Sequence, residues 1–185
     1  MRTLALLLVL APLAVRGLAA QPPAPDPESY AVWGGALDAL FGDDTTYSRL
    51  ELWVDSLATS LDEPEPERLP LTRMLTHYHL SFEPLDALLA ADSPAVRVDL
   101  TRLAARTRIR VARLMSRQAQ GLREPPAGVG TLGLSRVSFF PGRRMALVAV
   151  FIGYCNRCGR GGLLLMTRRD DGTWGIFRTI RGSTA

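Results

Sequence analysis

The stretch Met145-Ala-Leu-Val-Ala-Val-Phe-Ile-Gly-Tyr-Cys-Asn-Arg-Cys-Gly-Arg-Gly-Gly-Leu-Leu-Leu-Met-Thr-Arg-Arg169 decides the fold. Met145 to Tyr154 is almost wholly apolar, which reads as a central strand covered on both faces, and Gly162 to Arg169 returns as a second strand after the cysteine loop. Working outward, Leu134 to Phe140 and Thr173 to Ile180 are further strands, set off by Pro141-Gly142 and Asp171-Gly172, both strong turn signals. Four strands joined this closely predict an antiparallel meander. Trp174, Ile176 and Ile180 share one parity of the last strand and are expected to face helices.

Those helices are expected upstream. Asp26 suits a cap and Pro27 the first helical position, and Tyr30, Trp33, Leu37, Leu40 and Phe41 follow at three- and four-residue spacing, with Gly42 as a stop. Gly34 and Gly35 inside this helix each cost about 1 kcal/mol of propensity, which points to a close backbone approach or a kink. Leu50, Leu52 and Val54 alternate with polar-side positions as a strand does. Leu61 to Pro70, with four acids among prolines, reads as a solvated loop, and Leu71 to Leu80 and Pro84 to Ala91 as helices covering the sheet. The sum is an α+β domain: N-terminal helices on a mainly antiparallel sheet that ends in the four-stranded meander.

The N-terminus carries Arg2, an apolar run of twelve residues from Leu4 to Val15, and small residues at Gly17 to Ala20, the pattern of a secretory signal peptide. Such a run is well short of the roughly 20 residues that span a bilayer, so no transmembrane anchor is expected after cleavage. Residues 1–20 are thus assigned as leader, 21–27 as a flexible Pro-rich lead-in and 28–185 as a single domain, periplasmic or extracellular. An exported chain of this length buries roughly 70% of its unfolded surface.

Export bears directly on Cys155 and Cys158, the only two cysteines, spaced as Cys-Asn-Arg-Cys. In an oxidising compartment the pair is expected to be a disulfide closing a hairpin. The alternative is a thiol–disulfide redox role, in which Arg157 and Arg160 would stabilise a thiolate. A redox Cys-x-x-Cys sits at a helix N-terminus, however, and this one follows a strand. His77 and His79, the only histidines, would have to join the cysteines to make a four-ligand zinc site, and His-x-His departs from the usual spacing. No metal or cofactor site is assigned.

Charge is divided along the chain. Residues 21–101 hold 15 acidic and 4 basic side chains, and residues 102–185 hold 3 acidic and 16 basic ones. The plainer consequence is mutual neutralisation within one fold, and the sharper one a basic surface for an anionic partner. Every basic residue is Arg, which excludes a Lys Schiff base, a Lys general base and a Walker-type phosphate loop. Arg102, Arg106, Arg110, Arg113 and Arg117 form one stripe if residues 102–118 are a helix, the reading preferred over a strand through Thr107, Ile109 and Val111. No aromatic residue interleaves them, which argues against nucleic acid.

Gly128, Gly130 and Gly133 spell Gly-x-Gly-x-x-Gly, but Pro125-Pro126 precedes and a strand follows. The context is wrong for a dinucleotide site, so the motif is read as a flexible connection into the sheet. There is no Gly-x-Ser-x-Gly elbow and no His-Glu-x-x-His pattern.

In its last fifty residues the chain resembles a family of exported bacterial proteins of uncharacterised function. The shared pattern is Ser135-x-Val137-x-Phe139, then Ala146-Leu147-Val148, then Cys155-x-x-Cys158-Gly159, an apolar strand and a closing Asp171-Gly172-x-Trp174. The resemblance implies a secreted α+β domain and no particular reaction. Together these features lead to the expectation of a non-enzymatic exported domain that binds an anionic ligand or protein partner near the cysteine loop, through Arg157, Arg160, Arg168 and Arg169.

Overall fold

The computed structural model describes residues 22–59, 65–90, 92–115, 127–155 and 158–184. Helix α1 (Pro27–Phe41) begins as its sequence dictates: the Asp26 carboxylate accepts from the Glu28 N–H at 2.9 Å, Pro27 takes the first turn, and Gly42 ends it. The short α2 (Thr45–Ser48) leads into β1 (Glu51–Asp55) and β2 (Leu57–Ala58). Helices α3 (Glu65–His77) and α4 (Glu83–Leu89) follow, then β3 (Val96–Arg97), α5 (Leu100–Ala104), β4 (Val111–Met115), β5 (Val129–Leu134) and β6 (Ser138–Phe139). The chain closes with three long strands, β7 (Met145–Cys155), β8 (Cys158–Arg168) and β9 (Trp174–Thr184).

The sheet is mixed: most of its pairings are antiparallel, as expected, and two at one edge are parallel. Its strands run β4-β1-β5-β7-β8-β9, with β6 also on β7, making seven among the described residues. β7, β8 and β9 are antiparallel neighbours, as the meander reading requires, but the first strand expected, Leu134 to Phe140, is only the end of β5 and the two-residue β6, and it is β5 that pairs along β7; β1 pairs in parallel with both β4 and β5. β2 and β3 form a separate two-stranded ladder.

Parity along β7 and β8 explains the two-sided apolar pattern of the opening stretch. Ala146, Val148, Val150, Ile152, Leu164 and Met166 pack with α1 in the larger core, which has Trp33, Leu37 and Phe41 at its centre. Leu147, Leu163 and Leu165 point the other way, onto Leu71 and Leu75 of α3 and Leu85 and Leu88 of α4. Trp33 is fully buried, and its indole N–H donates to the Ser135 carbonyl at 3.0 Å, which ties α1 to the chain after β5.

Several sequence expectations are corrected. Residues 102–118 are not one helix: α5 ends at Ala104, and the chain turns through Thr107 and Arg108 into strand β4. The Asp38 carboxylate holds that turn, accepting from the Thr107 hydroxyl and the Arg108 N–H at 2.7 Å each, and residues 116–118 lie outside the described set. The acidic loop read over Leu61 to Pro70 is helical from Glu65, with Pro70 inside α3; residues 61–64 lie outside the described set.

The Gly-x-Gly-x-x-Gly segment is strand β5 itself. Gly130 is there because Leu52 and Ile152 fill its side-chain space: a Cβ would stand 2.9 Å from Leu52 Cδ2. Ile180 packs with the α3–α4 core rather than beside Trp174 and Ile176, because the register irregularity between Leu165 and Met166 changes the parity of β9 beyond Ile176. The lead-in is docked: Pro25 is buried, and the Pro23 carbonyl accepts from the Arg97 N–H at 3.0 Å. No helix among the described residues is long and apolar enough to cross a membrane.

Candidate functional site

Cys155 and Cys158 face each other in the antiparallel β7–β8 ladder and bound a two-residue connection. They stand at strand ends rather than in a longer loop. Directly opposed residues of an antiparallel pair have Cα atoms about 4.5–5.5 Å apart, within the span that a disulfide bridges. Neither belongs to a helix N-terminus, the setting that lowers a thiol's pKa in redox motifs.

The four arginines assigned to an anion site do not form one cluster. Arg157 lies outside the described residues. Arg160 and Arg168 are at opposite ends of β8, about 26 Å apart at 3.3 Å per residue. Arg160 meets Asp44 at 3.7 Å near the cysteine end, and Arg168 meets Glu28 at 3.2 Å near the other. Arg143 binds both Asp26 (2.7 Å) and Glu28 (2.9 Å), and its guanidinium lies 4.1 Å from the Phe139 ring centre. Arg108 reaches Asp38 and Asp43, and Arg110 reaches Glu51. The acidic and basic halves of the sequence thus meet across the fold, and Arg160 and Arg168, two of the four arginines assigned to the anion site, are taken up in these pairs.

Arg169 is the exception. It belongs to a cleft of about 660 Å³ between α1, the α5–β4 turn and the β8–β9 turn, lined by Gly35, Asp38, Arg106, Arg108, Asp171 and Trp174 among others. Beside the cleft, α1 comes close to its neighbours. Gly34 lies against the Arg106 backbone, and a Cβ on Gly35 would stand 2.5 Å from the Trp174 carbonyl oxygen. Gly35 lines the cleft and Gly34 stands beside it, so the two glycines permit this close approach, and the sequence signal was the paired glycines inside an otherwise good helix.

The cleft's charged groups fall into two sets. Asp38 is held by Thr107 and Arg108, and Asp43 meets Arg108 at 3.7 Å. Asp171 accepts from the Thr173 hydroxyl at 2.6 Å and the Thr173 N–H at 2.9 Å, bonds that hold its pKa below the usual carboxylate range, with Arg169 adding to the effect. Arg106 and Arg169, by contrast, have no carboxylate within salt-bridge distance among the described residues. The Nη2, Nε and Cζ atoms of Arg169 lie 2.8–3.0 Å from the point that a Cβ on Gly175 would occupy, so the guanidinium rests in the space that Gly175 leaves free on β9. Sequence reading placed Arg169 among the anion-site arginines and Arg106 in a separate basic stripe; that both line one cleft depends on the turn that replaces the expected helix.

His77 ends α3 and His79 lies in the turn after it, with φ of 54°. Among the described residues no three His, Cys, Asp or Glu side chains gather into a metal-holding group. The chain matches no family model, no curated protein and no solved structure.

Proposed function

We propose that this chain is an exported, non-enzymatic binding domain that takes a small anionic ligand in the cleft between α1 and the β8–β9 turn, with a Cys155–Cys158 disulfide fastening the hairpin at the other end of β8. The observation that carries the reading is the pair Arg106 and Arg169, which line the cleft with no carboxylate within salt-bridge distance among the described residues, while its carboxylates are held by their own neighbours. Guanidinium groups are suited to carboxylate and phosphate because their donors form a planar fork. Three arginines against three aspartates leave the cleft without a strong net field. Binding should therefore be modest and salt-dependent, with selectivity set by where Arg106 and Arg169 stand. Export rests on the leader-like residues 1–20 and on the likeness of the C-terminal motifs to exported proteins.

Titration calorimetry with inorganic phosphate and with succinate tests the site. Saturable binding by the parent protein that weakens about tenfold in Arg169→Gln and in Arg106→Gln, but not in Arg113→Gln outside the cleft, is the expected result. Gly175→Val, which removes the resting place of Arg169, should weaken binding as well. Absence of saturable heat with both probes, or equal affinity in the cleft variants, overturns the proposal. N-terminal sequencing of protein expressed with its leader should find Gln21 first if the export reading holds.

A further inference from the structure

A second cavity, of about 720 Å³, lies between the docked lead-in, β3 and α5, and it shares no lining residue with the cleft. Tyr30 is at its wall. The residue is only 2% exposed, and its ring is fixed edge-on to Trp33 at 5.2 Å. The hydroxyl oxygen accepts from the Asp99 N–H at 3.0 Å. No acceptor for the hydroxyl proton is found among the described residues, whereas a buried tyrosine O–H ordinarily has one. Burial pushes the Tyr30 pKa up, so the group remains a neutral donor across the physiological range.

The charges around this donor leave one cation over. Asp99 is the acid there, and Arg102 engages it twice, through its N–H at 3.1 Å and its Nε at 3.6 Å. Arg97, whose backbone N–H holds the lead-in, also lines the cavity and has no carboxylate within salt-bridge distance among the described residues. The remaining wall is largely apolar, from Pro22, Leu100 and Leu114.

We infer that this cavity binds a small monocarboxylate with an apolar body, the carboxylate accepting from the Tyr30 hydroxyl and pairing with Arg97 while the body lies along Leu100, Leu114 and Pro22. One unspent neutral donor and one unspent cation match a single carboxylate in charge and in hydrogen-bonding capacity. The apolar wall gives affinity that grows with ligand length, about fourfold for each buried methylene.

Hexanoate, acetate and inorganic sulfate, each titrated into isotopically labelled protein and followed by amide NMR, separate the possibilities. Hexanoate should shift the Arg97–Arg102 amides saturably, bind more tightly than acetate, and lose about tenfold in affinity in Arg97→Gln and Tyr30→Phe. Arg169→Gln should leave it unchanged, so this site and the α1–β8/β9 cleft succeed or fail separately. Tyr30→Phe also orphans the Asp99 N–H, and Arg97→Gln, a surface change, decides the matter if that variant folds poorly. Shifts confined to other segments, unchanged affinity in Arg97→Gln, or sulfate binding as tightly as hexanoate would each sink the inference.

Discussion

Gly35 of α1 and Trp174 of β9 touch through backbone: the Trp174 carbonyl oxygen lies 2.5 Å from where a Cβ on Gly35 would stand, with Trp174 Cβ at 2.9 Å. Alanine is the better helix former by about 1 kcal/mol, so propensity alone favours Gly35→Ala. The clash opposes it, because backbone atoms on both sides cannot move aside as a flexible side chain would. Overpacking of this kind costs about 1–3 kcal/mol. Gly35→Ala should therefore destabilise by about 1–2 kcal/mol in urea titrations, and Gly34→Ala, facing the Arg106 backbone, by at least as much. A stabilised Gly35→Ala would show that α1 is free to shift.

The start of α1 should fail first in acid. Burial by itself raises the Asp26 pKa, but the Glu28 N–H and the Arg143 guanidinium outweigh it and hold the carboxyl below its ordinary value. A folded pKa below the unfolded one gives stability that is present above about pH 4 and is lost as pH falls through the folded value. Asp26→Asn keeps a good cap while deleting the charge. Its melting temperature should fall below the parent's at pH 7, and the gap should narrow as pH falls below about 4 and the carboxyl becomes protonated in the folded protein. A gap that persists at low pH would assign the loss to capping instead.

Where the sequence was legible, the reason is local or parity-based. The Asp26-Pro27 start, the Gly42 stop, the Asp171-Gly172 turn and the two-faced β7 follow from residues that are neighbours in the chain. The α5–β4 segment was not legible, because its arginines fit a helix and its alternation fits a strand. What decides is remote: Asp38 captures Thr107 and Arg108, and β4 lies parallel to β1. Ile180 was misplaced for a similar reason, since a register irregularity against β8 leaves no mark in β9 itself. The cleft combines both cases, with the glycine pair visible in sequence and its partners, Arg106 and Trp174, supplied only by topology.

The second core layer can be tested through Leu88, which is fully buried against the α3–α4 face of β7. Truncation to alanine removes apolar area and leaves a cavity, and such changes cost about 2–5 kcal/mol. Leu88→Ala should fall in that range by urea denaturation, with the cooperative slope unchanged. A loss under about 1 kcal/mol would mean that α4 packs as a loose satellite and that β7 is effectively covered on one face.

The opposed positions of Cys155 and Cys158 make a disulfide between them a constraint on a two-residue turn. Chain-entropy arguments give a four-residue ring about 2 kcal/mol at most, less than the roughly 3 kcal/mol of a 15-residue loop. The long β7–β8 ladder already fixes the same geometry, so part of even that amount duplicates what the strands supply. Replacing both cysteines with serine should therefore leave a folded protein with a melting temperature lowered by only a few degrees. The reduction potential of the pair, measured by thiol alkylation across dithiol buffers, should lie below about −300 mV, the range of structural disulfides. A potential near −200 mV would instead point to thiol–disulfide exchange at this hairpin, and the double serine variant would then lose an activity rather than a little stability.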